Sequence, residues 1–222
     1  MQTSRQKPQQ YVVDMIRERC VGWTYEHYTD DDIIAFFGEN PVPEFPNVIT
    51  KFFMLNYGEH RADLFRYYFL YVKGGVYMDL DAMIQCPIEN IIGNADFFTV
   101  NSSYFPGTVF QGFLGSIPQH PLIYQALKDI YHCPLENLRK EFHLLCKNLY
   151  GFIQSSLVAE LPTNLVVGGF QPPDIEQQRT DSTLLLEEVY GGCPEEAHVI
   201  DKNSQVVLIH YHIKKIIPIK ET

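Results

Sequence analysis

Residues 60–85 constrain the fold more than any other stretch of this chain, because the hydrophobic pattern changes its period once within them. Apolar side chains dominate the first half, and its two inner charges, Asp63 and Arg66, are three residues apart and share one helical face. Gly74 and Gly75 follow, and glycine is common where a helix ends. The pattern predicts a largely buried helix that ends at a diglycine.

A strand pattern begins directly after the diglycine. Residues 76–84 alternate, which predicts one strand with Asp79 and Asp81 on the same face. Two carboxylates this close repel each other, and a fold gains from the arrangement when a cation lies beside them. Mg²⁺ or Mn²⁺ is the simplest candidate, held by few protein oxygens and completed by water and phosphate. The alternative is a solvated strand end.

The complete run resembles a known sequence region. Arg-Ala-Asp-x-x-Arg-Tyr, then Gly-Gly-x-Tyr and Asp-x-Asp, at the spacing of residues 61–81, is similar to the DXD sugar-nucleotide-binding region of GT-A glycosyltransferases. The group it resembles includes yeast-type initiating mannosyltransferases, capsular-polysaccharide transferases and, more distantly, clostridial glucosylating toxins. The resemblance implies a metal-dependent glycosyltransferase. Its donor would be a nucleoside-diphosphate sugar, with UDP-sugar favoured and GDP-sugar possible, and its acceptor a glycan or glycoprotein.

Length and element order predict the architecture. The 222 residues suit one domain over residues 1–222, with no internal repeat or linker. Strands that alternate with helices predict an α/β fold with a mostly parallel central sheet flanked by helices, and the resemblance implies the Rossmann-like GT-A fold. Ligands bind such sheets beyond the carboxyl ends of the strands.

Charge and cysteine content narrow the class of partner and compartment. A net charge of −10 argues against a nucleic-acid partner, and it means that an anionic sugar nucleotide needs a cation or local Lys and Arg side chains. The five cysteines form no CxxC pair, which indicates free thiols in a reducing compartment. No signal peptide or long apolar run is visible, so we expect a cytoplasmic protein without a membrane anchor. A bacterial or virus-encoded enzyme, or an excised catalytic domain, would fit.

The resemblance assigns roles to the residues of the motif. Asp81 is the predicted metal ligand, and Asp79 either shares the metal or accepts hydrogen bonds from ribose hydroxyls. Asp63 is expected to hold sugar or ribose hydroxyls and Arg66 the sugar oxygens; the alternative is an intrahelical surface ion pair. Further predicted donor contacts are Thr3, Arg61 and Tyr77.

The end of the chain supplies further candidates. His210 and His212 project to one face of the last predicted strand, and the Ile-His-Tyr pattern resembles the late histidine that completes the metal site in several GT-A enzymes. His210 is the favoured metal ligand, and Lys214 or Lys215 is assigned to the departing phosphate. Surface histidines beside a solvated basic tail are the alternative.

The mechanism that the resemblance implies is retaining. The metal would act as Lewis acid on the diphosphate, and the acceptor hydroxyl would attack the front face of the sugar without an enzymic nucleophile. Gln111 is the candidate group beside the anomeric carbon, together with Asp79 and Asp81 as catalytic residues. An inverting enzyme would instead need a base such as Glu160 or Asp174.

The acidic residues of this chain allow three other interpretations. A haloacid-dehalogenase-like phosphohydrolase also uses Asp-x-Asp, but it carries Thr or Val at the position of Met83. A catalytically inactive sugar-nucleotide-binding module remains an alternative, because the first strand is short or absent. Thr29, followed by three aspartates, predicts a capped helix start rather than a second metal site.

Overall fold

A computed structural model describes residues 1–3, 8–159, 182–192 and 196–211 of the chain. Helices and strands alternate irregularly along these residues. In chain order the elements are β1 (Gln2–Thr3), α1 (Gln10–Arg19), β2 (His27–Tyr28), α2 (Asp30–Glu39), α3 (Val48–Met54), α4 (Gly58–Lys73), β3 (Gly75–Met78), β4 (Ala82–Ile84), α5 (Ile88–Ile92), β5 (Phe97–Asn101), β6 (Val109–Ser116), α6 (Pro121–His132), α7 (Leu135–Lys140), α8 (Leu144–Ala159), β7 (Thr183–Tyr190), β8 (Glu196–Ile200) and β9 (Val206–Tyr211).

The main sheet is mixed. Its seven strands follow the order β3-β6-β5-β7-β8-β9-β4, and β1 pairs separately with β2. Only β5 and β7 run parallel within this seven-stranded sheet, whereas its other five neighbouring pairs are antiparallel. The predicted α/β class is confirmed, but the mostly parallel sheet is wrong. Short connections such as those between β7, β8 and β9 permit antiparallel pairing, while parallel neighbours require a long crossover.

The sheet is curled, so that its two edge strands come close together. Strands β3 and β4 are the two outer strands, yet only residues 79–81 separate them along the chain. Four residue steps reach at most about 14 Å, whereas six strand spacings in a flat sheet would separate the edges by about 29 Å. The single strand predicted over residues 76–84 is therefore wrong. The chain leaves one edge at Met78, turns at Leu80 and Asp81, and joins the other edge at Ala82.

Helix α4 is the centre of the larger of two apolar cores. Leu64, Phe65 and Tyr68 of this helix are completely buried, and the helix packs against α6 and strands β3 and β6. Its core is shared with α2, α3 and α8, and a second core lies between α1 and the sheet residues that include Met78, Ala82 and Leu208. The predicted buried helix is confirmed.

The start of α2 confirms a prediction made from sequence. Thr29 accepts a hydrogen bond from the Asp32 backbone amide, and Asp32 Oδ2 accepts from the Thr29 backbone amide at 2.9 Å. The hydrogen bonds from Thr29 lower the pKa of Asp32. This capping box explains the acidic run, because negative charge is favourable in the first turn of a helix.

The diglycine after α4 offers a test of the fold. Gly74 has φ +69°, and a Cβ there would lie 2.8 Å from the Pro118 nitrogen and 2.9 Å from the Ser116 oxygen, whereas Gly75 has φ +105° and open space around it. We expect Gly75→Ala to lower the free energy of unfolding by about 1–2 kcal/mol through backbone strain alone. Gly74→Ala should cost about 1–3 kcal/mol more, because the strand backbone must also move. Urea unfolding of both variants measures the difference, and equal losses would contradict the close approach.

Candidate active site

Asp79 lies where three strands meet. Its backbone amide donates to the Gly112 carbonyl of β6 at 2.8 Å, and its carbonyl accepts from the Ala82 amide at 3.1 Å and from Gln2 Nε2 at 3.1 Å. The residue between the two sheet edges is thus held by β1, β4 and β6. These contacts leave its carboxylate as the part of Asp79 that can serve a ligand.

A buried arginine stands behind that carboxylate. Arg66 Nη1 donates to the Gln111 carbonyl at 2.6 Å and Nη2 to Tyr77 Oη at 3.3 Å, with Nη2 3.4 Å from Asp63 Oδ1 and 3.9 Å from Asp79 Oδ1. Tyr77 Oη in turn donates to Asp79 Oδ1 at 2.7 Å. Burial alone would lower the pKa of Arg66, but Tyr77, Asp63 and Asp79 raise it. Arg66 is 6% exposed, and its ion pair with Asp79 lies on the same carboxylate oxygen that accepts from Tyr77.

Asp63 is part of the same buried cluster. Burial raises the pKa of Asp63, and the positive charge of Arg66 and the nearby His60 oppose the shift. With its amide nitrogen turned towards this carboxylate, Gln111 donates to Asp63 Oδ1 at 2.9 Å and accepts from the Cys146 amide at 3.2 Å. Gln111 therefore contacts Asp63 and the start of α8. Its role beside the anomeric carbon stays a prediction.

The remaining predicted donor contacts divide into two groups. Thr3 Oγ1 lies 3.4 Å from Tyr77 Oη and so belongs to the cluster. Arg61 does not: its Nε donates to the Leu55 carbonyl at 3.0 Å, and its Nη1 lies 4.0 Å from Asp30 Oδ2. The structure thus places Arg61 beside α2 and away from Asp79.

Asp81 occupies the turn between the two edges. Burial and the neighbouring Asp79 raise the pKa of Asp81 to about 6, and His210 lowers it. A carboxylate with this pKa is ionised at neutral pH at a cost in free energy, because it is desolvated beside a like charge. Such a group gains from a bound cation.

His210 reaches this turn from the last described strand. It pairs with Ala82 in the β4–β9 ladder, and its ring stacks on Phe110 with centroids 4.0 Å apart and planes 11° apart. Its Nε2 lies 2.7 Å from Glu188 Oε1, and both side chains are buried. His210 therefore lies close enough to act on Asp81, and its role as a metal ligand stays a prediction.

Glu188 is the functional candidate that sequence reasoning missed. The sequence pattern of residues 184–190 is ambiguous and does not by itself assign a face to each residue. The alternation Leu184, Leu186, Glu188 is the signal that could have found it, because it places a carboxylate on the apolar face of a strand. A charge at such a position is almost always paired.

The donor set suits a divalent cation that is completed by its ligand. Across the ranges that the structure describes, no group of three or more His, Cys, Asp or Glu side chains is arranged to hold a metal ion. Two carboxylates at a turn fit Mg²⁺ or Mn²⁺, which use few protein oxygens and keep water or phosphate.

Five of the residues singled out from the sequence lie outside the described residues: His212, Lys214, Lys215, Glu160 and Asp174. Among the described helices, none has the length and hydrophobicity that a membrane crossing requires.

The raised pKa of Asp81 predicts the pH dependence of stability in the cation-free protein. The folded pKa of about 6 exceeds the ordinary value of 3.8, so folding favours the protonated form. This contribution is fully present below about pH 4 and is lost as the pH rises through about 6. Relative to Asp81→Asn, the wild type should therefore lose about 2 kcal/mol of unfolding free energy between pH 4 and pH 7.

Urea unfolding in EDTA across this pH range measures that difference. Asp31→Asn is the matched control, because Asp31 is exposed in the first turn of α2. The control should change the wild-type pH profile by less than about 1 kcal/mol. Parallel profiles for wild type and Asp81→Asn would contradict the desolvated carboxylate.

Comparison with known proteins agrees with this geometry. Residues 6–98 match the model of the glycosyltransferase sugar-binding region containing DXD motif. Inositol phosphoceramide mannosyltransferase 1 of Schizosaccharomyces pombe is 30% identical over 49% of this chain and 32% of its own length. Mannosyl phosphorylinositol ceramide synthase SUR1 of Saccharomyces cerevisiae is 31% identical over 52% of this chain and 30% of its length. The uncharacterized glycosyltransferase L373 of Acanthamoeba polyphaga mimivirus is 30% identical over 51% of this chain and 46% of its length.

The matched ranges show which part of this chain resembles its relatives. The chain spans about a third of the length of the two yeast relatives and under half of the viral one. The family match includes Asp63, Arg66, Tyr77, Asp79 and Asp81. The resemblance inferred from the motif is therefore confirmed over residues 6–98, which match the model of the DXD glycosyltransferase sugar-binding region.

Proposed function

We propose that this chain is the catalytic domain, over residues 1–222, of a metal-dependent glycosyltransferase. It would move a hexose from a nucleoside-diphosphate sugar to a hydroxyl of a glycan or glycolipid. The observation that carries the proposal is the Asp79–Asp81 pair, which lies at the meeting of two sheet edges with a buried arginine and tyrosine behind it. Solvated acidic residues would need no such support.

The identity of the sugar and acceptor can be narrowed for testing. The yeast relatives are named for mannosyl transfer and for inositol phosphoceramide. Mannose is therefore the first sugar to test. An inositol-phosphoceramide-type glycolipid is the first acceptor to test, beside the glycan or glycoprotein that the motif predicts. Both UDP- and GDP-linked donors belong in the test, with UDP favoured by the sequence.

Each residue of the cluster has its own proposed role. Asp79 and Asp81 would hold Mn²⁺ or Mg²⁺, which would supply Lewis-acid chemistry to the diphosphate. Arg66 and Tyr77 contact Asp79, so little reorganisation of that carboxylate would accompany donor binding. Asp63, which contacts Gln111 and Arg66, would accept hydrogen bonds from donor hydroxyls. Lys214 or Lys215 is assigned to the diphosphate.

Retention of configuration is the proposed outcome at the anomeric carbon. In that case the acceptor hydroxyl attacks the face from which the nucleotide leaves, and no enzymic nucleophile is required. Within the described cluster, Asp63 and Asp79 both lie beside Arg66, and Asp79 also accepts from Tyr77. Inversion would instead require a base such as Glu160 or Asp174.

Donor turnover tests the proposal directly. Wild type, Asp81→Ala and Asp31→Asn are incubated with UDP- and GDP-hexoses and Mn²⁺, and nucleotide release is measured with and without acceptor. Asp81→Ala should reduce turnover by about 10²-fold or more, because the charge on the leaving diphosphate loses its counterion. Asp31→Asn should match the wild type, since its carboxylate lies in the capped start of α2.

Binding measurements distinguish the competing classes. Cation-dependent binding of one nucleotide without any turnover would identify a sugar-nucleotide-binding module. Hydrolysis of simple phosphate esters, with loss in Asp79→Asn, would identify a phosphohydrolase. Either result would overturn the glycosyltransferase assignment.

A further inference from the structure

Five ring side chains pack together where α4 and α8 begin: Tyr57, His60, Phe105, Phe142 and His143. We refer to them as the ring cluster. The centroids of His60 and Phe142 lie 5.1 Å apart, those of Phe142 and His143 5.1 Å, and those of His143 and Phe105 4.3 Å. Tyr57 contacts His60 at 5.3 Å and Phe142 at 5.6 Å. Rings at these separations pack directly against one another.

The ring cluster is buried at one end and exposed at the other. His60 is buried, and its Nε2 lies 3.0 Å from the Phe142 carbonyl, which can only accept. Phe105 is 50% exposed and Phe142 42% exposed. Single exposed apolar side chains are common on protein surfaces, but contiguous ones mark binding surfaces. The two phenyl rings therefore form a supported aromatic surface that is open to a ligand.

This surface borders the proposed donor site on two sides. His60 precedes Asp63 by three residues of α4, which is a rise of about 4.5 Å along the helix. It is close enough to affect the pKa of Asp63. His143 precedes Cys146 by three residues, and the Cys146 amide donates to the Gln111 side chain in its turned orientation at 3.2 Å. The ring cluster thus adjoins both Asp63 and Gln111.

We propose that the ring cluster is the acceptor subsite, and that Phe105 and Phe142 bind the apolar face of a pyranose ring in a glycan. This inference rests on the proposed function and names where its acceptor binds. One face of a pyranose presents mainly C–H groups, which pack on an aromatic ring while the hydroxyls at the rim keep their hydrogen bonds. An acceptor held there would lie next to a donor sugar on Asp63.

The charges around the rings favour a neutral glycan over a membrane surface. Glu59 and Glu141 are exposed, and each directly precedes a residue of the ring cluster. Lys147 donates to Glu141 at 3.1 Å, and Arg139 Nε donates to the turned amide of Asn56 at 2.7 Å. Membrane docking uses an excess of Lys and Arg beside apolar side chains, because it relies on anionic lipids. Mixed charges whose cations are already paired suit sugar hydroxyls, which both donate and accept.

Acceptor kinetics of the full chain test the inference. The probes are mannose-, glucose- and galactose-terminated oligosaccharides, with UDP- or GDP-mannose as donor and Mn²⁺ present. Phe105→Ala should raise the acceptor KM by about 10-fold, because the loss falls on acceptor binding, while kcat at saturating acceptor falls by less. Phe142→Ala should raise the same KM, and Phe105→Tyr should restore it.

Ile117→Ala is the control for loss of an exposed apolar side chain. Ile117 is 40% exposed and follows β6, whereas Phe105 precedes that strand. Eight strand residues, about 27 Å, therefore separate the ends of β6 to which the two residues connect. The control should keep the wild-type acceptor KM.

The outcomes separate this inference from the proposed function. A wild-type acceptor KM in both Phe105→Ala and Phe142→Ala would overturn the inference alone. Donor hydrolysis by the wild type with transfer to none of the oligosaccharides would do the same. Absence of any donor turnover by the wild type would overturn the proposed function, and the inference with it. Binding of the wild type to phosphatidylcholine vesicles, with loss in Phe105→Ala, would identify a lipid surface and also overturn the inference.

Discussion

The three-residue connection between the two edges of the sheet is the constraint on which the rest of the structure depends. Residues 79–81 connect β3 to β4, and these are the two edge strands of the seven-stranded sheet. The sheet meets this limit by curling, and the curl brings β9 alongside β4. As a result the acidic pair lies at a junction, where side chains from several strands converge, rather than at the open end of one strand.

The carboxylates at that junction lie beside a buried arginine that balances their charge. Asp63 and Asp79 both face Arg66, whose guanidinium lies 4.1 Å from the centroid of the Tyr77 ring. Removal of one partner from a buried ion pair typically costs about 3–5 kcal/mol, because the remaining charge is left uncompensated. Helix α4 therefore serves both the hydrophobic core, through Leu64 and Phe65, and the site, through its charged face. The same helix cannot shift to accommodate one role without disturbing the other.

Local patterns predicted the local structure well. The capping box at Thr29 and the helix end at Gly74 both follow from residues close together in sequence. The predicted strand over residues 76–84 was wrong because its alternation continues across a turn that only the tertiary structure requires. Strand β8 and Glu188 were missed for the same kind of reason: their partners are distant in sequence, and pairing between distant strands leaves no periodic signal of its own.

The family region and the complete site do not coincide, and the sheet order explains why. Residues 6–98 contain the acidic pair and its buried support, whereas His210 and Glu188 lie in strands β9 and β7. These strands reach the pair only because the sheet is curled, so that its two edge strands come close together. The part of the site that a shared motif describes is thus local in sequence, whereas the side chains that β7 and β9 place beside the acidic turn are distant from it in sequence. Substitutions at His210 or Glu188 change the surroundings of Asp81 while the entire DXD region stays the same.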